Sequence, residues 1–186
     1  MLSGPAPALQ TGDRVDVPVF NTDPVHGPAN APVTLIELTD YQCPYCRAAV
    51  PALRVILAQN PGRIRFIHKD FPLDIHDMAF KAAEAARCAG EQGRFWEMRG
   101  ALMAPRQELS DEIFEVVGAS LHLDVRALST CIGSRKYEGR IMDDVKQFMG
   151  LGFRATPSFV VNGQVVVGFS PEVLDKAVKD ALANFP

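Results

Sequence analysis

Cys43-Pro44-Tyr45-Cys46 places two thiols within one turn of chain, directly after the apolar run Val33 to Asp40. Where a strand hands over to a helix, unpaired backbone N–H groups and the positive end of the helix dipole favour a thiolate. A cysteine there titrates below the roughly 8.5 of a free thiol, and the thiolate is the form that attacks a disulfide. Pro44 suits the first helical position, where an N–H would have no intrahelical acceptor. The spacing therefore predicts Cys43 as an exposed, activated nucleophile at the helix cap and Cys46, one turn inward, as the shielded partner. The competing use of two close cysteines is zinc, which takes four ligands, usually with a second close pair of Cys or His. Cys88 and Cys131 stand apart, and His26, His68, His76 and His122 are scattered. The pattern reads as a redox pair with no metal and no small organic cofactor, because the sulfurs themselves carry the electrons.

The flanking chain supplies the elements that hold this pair. Val33 to Asp40 is a nearly continuous apolar run, suited to a strand covered on both faces. A helix from Pro44 to about Gln59 buries Val50, Leu53, Ile56 and Leu57, with a kink predicted at Pro51. Arg63 to Lys69 is a second core strand, parallel to the first because a helix joins them. From Met78 to about Gly150 the period is helical throughout, with segments at Ala79 to Cys88, Phe95 to Met103, Asp111 to Leu121 behind a Ser110 cap, Val125 to Cys131 and Tyr137 to Met149. Asn162-Gly163 between Ser158–Val161 and Gln164–Phe169 is a strong hairpin signal. Ser170-Pro171 opens a last helix whose inner face carries Leu174, Ala177, Val178 and Leu182. Trp96 and Phe95 sit at helical spacing beside Met98 and Leu102 and are expected in the core. His68 and His76 are expected as solvated or hydrogen-bonded side chains.

At 186 residues the chain suffices for one domain carrying a sizeable insertion. Its net charge of -3, from 19 basic against 22 acidic residues, gives no electrostatic case for nucleic acid. No apolar run is long enough to span a bilayer. The start of the chain lacks the basic and apolar regions of a signal peptide and reads as a tether. Within residues 1–32, rich in Pro, Gly, Asn and Asp, only Val15 to Phe20 looks like an edge strand.

These residues resemble the DsbA-like thiol:disulfide oxidoreductases. The resemblance is carried by Asp40-Tyr41-Gln42-Cys43-Pro44-Tyr45-Cys46, Pro51, Arg87-Cys88-Ala89 before Phe95-Trp96, and Ala155-Thr156-Pro157-Ser158-Phe159 before Asn162-Gly163. It implies an α/β thioredoxin fold (β-α-β, then β-β-α) interrupted by an all-helical subdomain. The corresponding division is a tether at 1–32, the thioredoxin-like part at 33–76 and 151–186, and the helical insertion at 77–150. It also implies a cis Thr156-Pro157 bond facing Cys43, and a buried acid, Glu37, exchanging protons with Cys46. On the residues alone Glu37 is equally a carboxylate paired with a basic side chain, with Lys69 on the adjacent strand as candidate. Related sequences carry a second disulfide in the insertion, which here would join Cys88 and Cys131; two separate buried thiols are the alternative. Two departures stand out: Pro-Tyr lies between the cysteines where strong oxidants of the family have Pro-His, and Thr156 stands where they have valine. The Thr156 hydroxyl is a candidate hydrogen-bond donor to a nearby sulfur.

The expected activity is oxidation of dithiols in reduced or unfolded protein substrates, by a monomer that a membrane-bound partner reoxidises. The expected place is the periplasm or another extracytoplasmic compartment, with any signal or anchor segment outside this chain and the cytoplasm as the alternative. Reduction or isomerisation of disulfides would use the same residues, and a redox-inert peptide- or metal-binding module of the same fold is the rival from another class.

Overall fold

A computed structural model describes residues 6–105 and 107–185; Met1 to Pro5, at the start of the expected tether, fall outside it. Five strands form one mixed sheet in the order β1-β3-β2-β4-β5. Its centre is β2 (Val33–Thr39), parallel to β3 (Ile64–Asp70) and joined to it by α1 (Pro44–Gln59). On the other side β2 pairs antiparallel with β4 (Ser158–Val161), which turns into β5 (Gln164–Val167). Asn162 and Gly163 both take positive φ at that turn, the geometry a two-residue hairpin of matching twist requires. The Asn162 side chain adds a clasp, accepting the Thr34 N–H at 2.7 Å.

Between β3 and β4 the chain builds α2 (Ala79–Glu91), α3 (Phe95–Leu102), α4 (Asp111–Ser120), α5 (Val125–Gly133) and α6 (Glu138–Leu151). Ser110 and Asp124 cap α4 and α5 by accepting the Ile113 and Ala127 amides. Gly152 ends α6 at φ +102, and a Cβ there would stand 2.3 Å from the Pro7 carbonyl oxygen, so no other residue fits without displacing the chain. The last helix, α7 (Pro171–Ala183), is capped by Ser170 and buries Leu174, Ala177, Val178 and Leu182.

Alternation along the strands divides the interior. Val33 and Leu35 meet α1 and α7 on one face, whereas Ile36 and Leu38 meet Phe148, Phe153 and the N-terminal segment on the other. A third cluster fills the helical insertion and continues without a break to Tyr41, Cys43, Cys46 and Val50. The redox motif is thus roofed by the insertion. Pro51 lies inside α1 on its exposed side, and the helix runs on through it.

The edge strand is not Val15 to Phe20. Arg14 makes a single bridge to Gln164, and β1 is the two-residue Val25–His26, antiparallel to Ile67 and Phe66. Pro18 interrupts the predicted run and cannot donate to a ladder. The N-terminal segment is nonetheless laced to the fold, with Leu9, Gly12 and Val15 amides donating to the carbonyls of Gly152, Val165 and Gly163.

Candidate active site

Asp40, the first residue after β2, organises the junction. Its Oδ1 accepts the backbone N–H groups of Gln42 at 2.7 Å and Cys43 at 3.0 Å, an Asx-type turn that swings the chain into α1. Cys43 is the N-cap residue and Pro44 the first helical one. Contrary to the sequence expectation, Cys43 is only 4 % exposed. The segment before β4 lies over it, and the Sγ–H donates to the Thr156 carbonyl at 3.3 Å. Cys46 is fully buried, and its sulfur accepts the Asp40 N–H at 3.5 Å.

The two thiols differ sharply in acidity. A hydrogen bond from the Cys46 thiol to the Cys43 sulfur is the largest influence, and it lowers the Cys43 pKa to about 5 against the opposing effect of burial. The amides of Cys46 and Tyr45 and the Thr156 side chain pull the same way, as expected at a helix start. Burial pushes the Cys46 thiol far above its usual range and the bond it gives to Cys43 adds to this; Thr39 and the Asp40 amide only partly offset them. The surroundings thus favour the thiolate at Cys43 and the protonated thiol at Cys46.

The Thr156–Pro157 peptide bond is cis, and the Thr156 backbone faces the pair. The Thr156 hydroxyl is buried with no partner at full hydrogen-bonding distance, yet near enough to pull on the Cys43 sulfur, and the direct bond between the two residues is through the Thr156 carbonyl. Glu37 is fully buried on the same face of β2 as Thr39, yet its partner is not Lys69. Glu37 pairs through Oε2 with Arg99 of α3, leaving Oε1 unpartnered. Lys69 points to the other face, to Asp23 at 2.8 Å and Asp144 at 3.3 Å. Lys69 is in register with Leu38 and not with Glu37, so its side chain takes the opposite face, and the helical insertion supplies Arg99 to Glu37 instead. Cys88 of α2 and Cys131 of α5 form a disulfide, with Cα atoms 5.9 Å apart and remote from the redox motif in sequence.

His68, also buried, accepts the Arg99 Nε–H on Nδ1 and so carries its proton on Nε2, which donates to Asp70 at 2.9 Å. Asp70 in turn binds Arg87 at 2.5 Å, and Arg87 reaches Asp144 at 3.1 Å. Burial opposes ionisation of Asp70, but Arg87 and His68 outweigh it and hold the carboxyl below the usual range. Trp96 is half-buried, edge-on to His68 and Phe95 and tilted against Phe66. Sequence reasoning gave no role in the site to Asp40, Thr39 or Arg99, and of His76 it expected a solvated or hydrogen-bonded side chain, which its bond to Asp40 provides. Only Asp40 carried a local signal, a turn-forming residue three places before the first cysteine. Among the described residues no group of three or more His, Cys, Asp or Glu is arranged to hold a metal ion.

A thioredoxin family model matches residues 20–180. Among solved structures, a thioredoxin-like oxidoreductase from Silicibacter pomeroyi superposes with a TM-score of 0.79 at 28% identity, over 88% of this chain and 94% of that one. The thiol-disulfide exchange protein alpha-DsbA2 from Wolbachia pipientis gives 0.76 at 24% identity, over 86% and 87% of the two chains, and so speaks to the fold. Curated relatives include a Na(+)/H(+) antiporter NhaA of Salinispora tropica, 39% identical over 164 residues. That match takes in 87% of this chain but 25% of the antiporter, so the chain spans about a quarter of the length of such relatives.

Proposed function

The chain belongs to the thioredoxin family, and from that premise we propose that it is a DsbA-like thiol:disulfide oxidoreductase that introduces disulfides into protein substrates through Cys43 and Cys46. The observation that carries this reading is the opposed acidity of two adjacent thiols, Cys43 lowered to about 5 and Cys46 raised. A substrate thiolate attacks Sγ of Cys43 in the oxidised pair, the Cys43–Cys46 bond breaks, and Cys46 leaves and takes up a proton. A second substrate thiolate then attacks the substrate sulfur of the mixed disulfide and expels Cys43 as a thiolate. The substrate loses two electrons and the pair gains them. A thiol of low pKa leaves readily, which favours this direction over reduction. The Thr156 carbonyl beside Cys43 offers an extended substrate a backbone acceptor.

The reduced pair must be reoxidised, and we assign that to a membrane-bound partner acting outside the cytoplasm on a monomeric enzyme. The Cys88–Cys131 bridge supports the compartment, since disulfides persist where conditions are oxidising. No helix among the described residues is long and apolar enough to cross a membrane. The test is the Cys43–Cys46 potential in glutathione buffers, together with oxidation of a reduced dithiol protein. An oxidising potential and stoichiometric disulfide transfer are expected; a potential as low as the roughly −270 mV of thioredoxin would assign the chain to reduction instead.

A further inference from the structure

The segment between β3 and α2, residues 71–78, is stitched to the residues that lead into the redox motif. The Phe71 N–H donates to the Thr39 carbonyl at 2.9 Å, and the Leu73 N–H to Asp40 Oδ2 at 2.8 Å. The Gln42 side chain donates to Asp77 at 2.9 Å and accepts the Met78 N–H at 2.5 Å. His76 joins this set with Nδ1 at 2.8 Å from Asp40 Oδ2. A carboxylate oxygen only accepts, so Nδ1 carries a proton there in either charge state of the ring.

Asp40 is buried, so its charge must be answered locally. One oxygen takes the Gln42 and Cys43 amides and the other takes the Leu73 amide and His76. Arg47 of α1 also acts on it, but directs its N–H groups to the Tyr41 and Gln107 carbonyls. Asp40 thus lies one hydrogen bond from the backbone of the residue that carries the nucleophilic sulfur.

We propose that His76 is a positioning residue for the redox reaction, acting through Asp40: it completes the donor shell of that carboxylate and thereby keeps the Cys43 thiolate accessible at low pH. The residue between the cysteines, Tyr45, is 66 % exposed, and the imidazole at the junction comes from the segment that follows β3. Without His76, Asp40 presents a less compensated negative charge, which disfavours a second anion nearby.

The inference rests on Cys43 being the nucleophile, and one experiment separates the two claims. The reduced full chain is alkylated with iodoacetamide at a series of pH values, and labelling at Cys43 and Cys46 is resolved by mass. If wild-type Cys43 titrates like a free thiol near 8.5, the proposed function fails whatever His76 does. If it titrates low, His76→Ala should raise its midpoint by about one unit and slow labelling below the midpoint about tenfold. His76→Gln, which keeps an N–H donor, should restore most of the loss. Asp40→Asn, whose oxygen retains the two amide bonds, should lower the midpoint, and His76→Ala should add nothing on that background. An unchanged midpoint in folded His76→Ala overturns the inference. Should that variant not fold, an unchanged midpoint in Asp40→Asn overturns it equally.

Discussion

Two groups of polar side chains meet the carboxyl ends of β2 and β3, and they are built on opposite rules. On the insertion side, four carboxylates, Asp23, Glu37, Asp70 and Asp144, are matched by four cations, Lys69, Arg87, Arg99 and Arg140, through ion pairs and the bridging His68. On the redox side, Thr39, Tyr41 and Thr156 each keep a buried hydroxyl with no partner, around two thiols whose affinities for protons are far apart. The first group ties the helical insertion to the sheet by answering each buried carboxylate with a cation. The second leaves room for a sulfur to gain and lose a proton. The paired network thus lies beside the thiols, and the insertion it anchors roofs the cysteines.

Breaking the network should have the largest effect. Arg87→Met leaves Asp70 and Asp144 buried without their shared guanidinium, which should cost about 3–5 kcal/mol of unfolding free energy in a denaturant titration. The disulfide is a second, independent tether. Its 43-residue separation corresponds to ~4 kcal/mol on the chain-entropy model, so Cys88→Ala with Cys131→Ala should lower thermal stability. Neither change should move the acidity of Cys43, and a shift there would show that the two regions are not separable.

How far this contrast could be read from the sequence depends on the range of each interaction. The hairpin at Asn162-Gly163, the caps at Ser110 and Ser170 and the order of thiols in Cys43–Cys46 are local, and local chemistry names them. Partners such as Glu37 and Arg99 lie 62 residues apart and meet only because α3 packs over the sheet. The burial of Cys43 follows from the Thr156 segment, 113 residues away, and β1 has just two residues, too few for any alternation to register. Lys69 was a candidate partner for Glu37 and is not its partner, because proximity along neighbouring strands does not reveal which face a side chain takes until the register is known.

Acid should erase the contrast on the redox side, and rising pH should restore it. The folded Cys43 pKa is lowered, so its thiolate stabilises the reduced protein fully above the unfolded value near 8.5, and that contribution is lost as pH falls toward about 5. The oxidised protein has no such group. The melting temperature of the reduced form should therefore gain on that of the oxidised form from pH 5 to 8, and a constant gap in paired scans would contradict the assignment. The smallest effect is expected at Thr156: with its hydroxyl unpartnered, Thr156→Val removes only a weak pull on the sulfur and should raise the Cys43 midpoint by less than about one unit.

The central claim, that one thiol is poised and its neighbour is held back, is tested most directly by the pH dependence of thiolate formation at each cysteine in the reduced wild-type chain, followed by ultraviolet absorbance and assigned with Cys43→Ser and Cys46→Ser. The account predicts a midpoint at about 5 that disappears in Cys43→Ser, and no thiolate at Cys46 below pH 9 in the wild type. A midpoint that survives in Cys43→Ser, or two cysteines titrating together near 8.5, would contradict it.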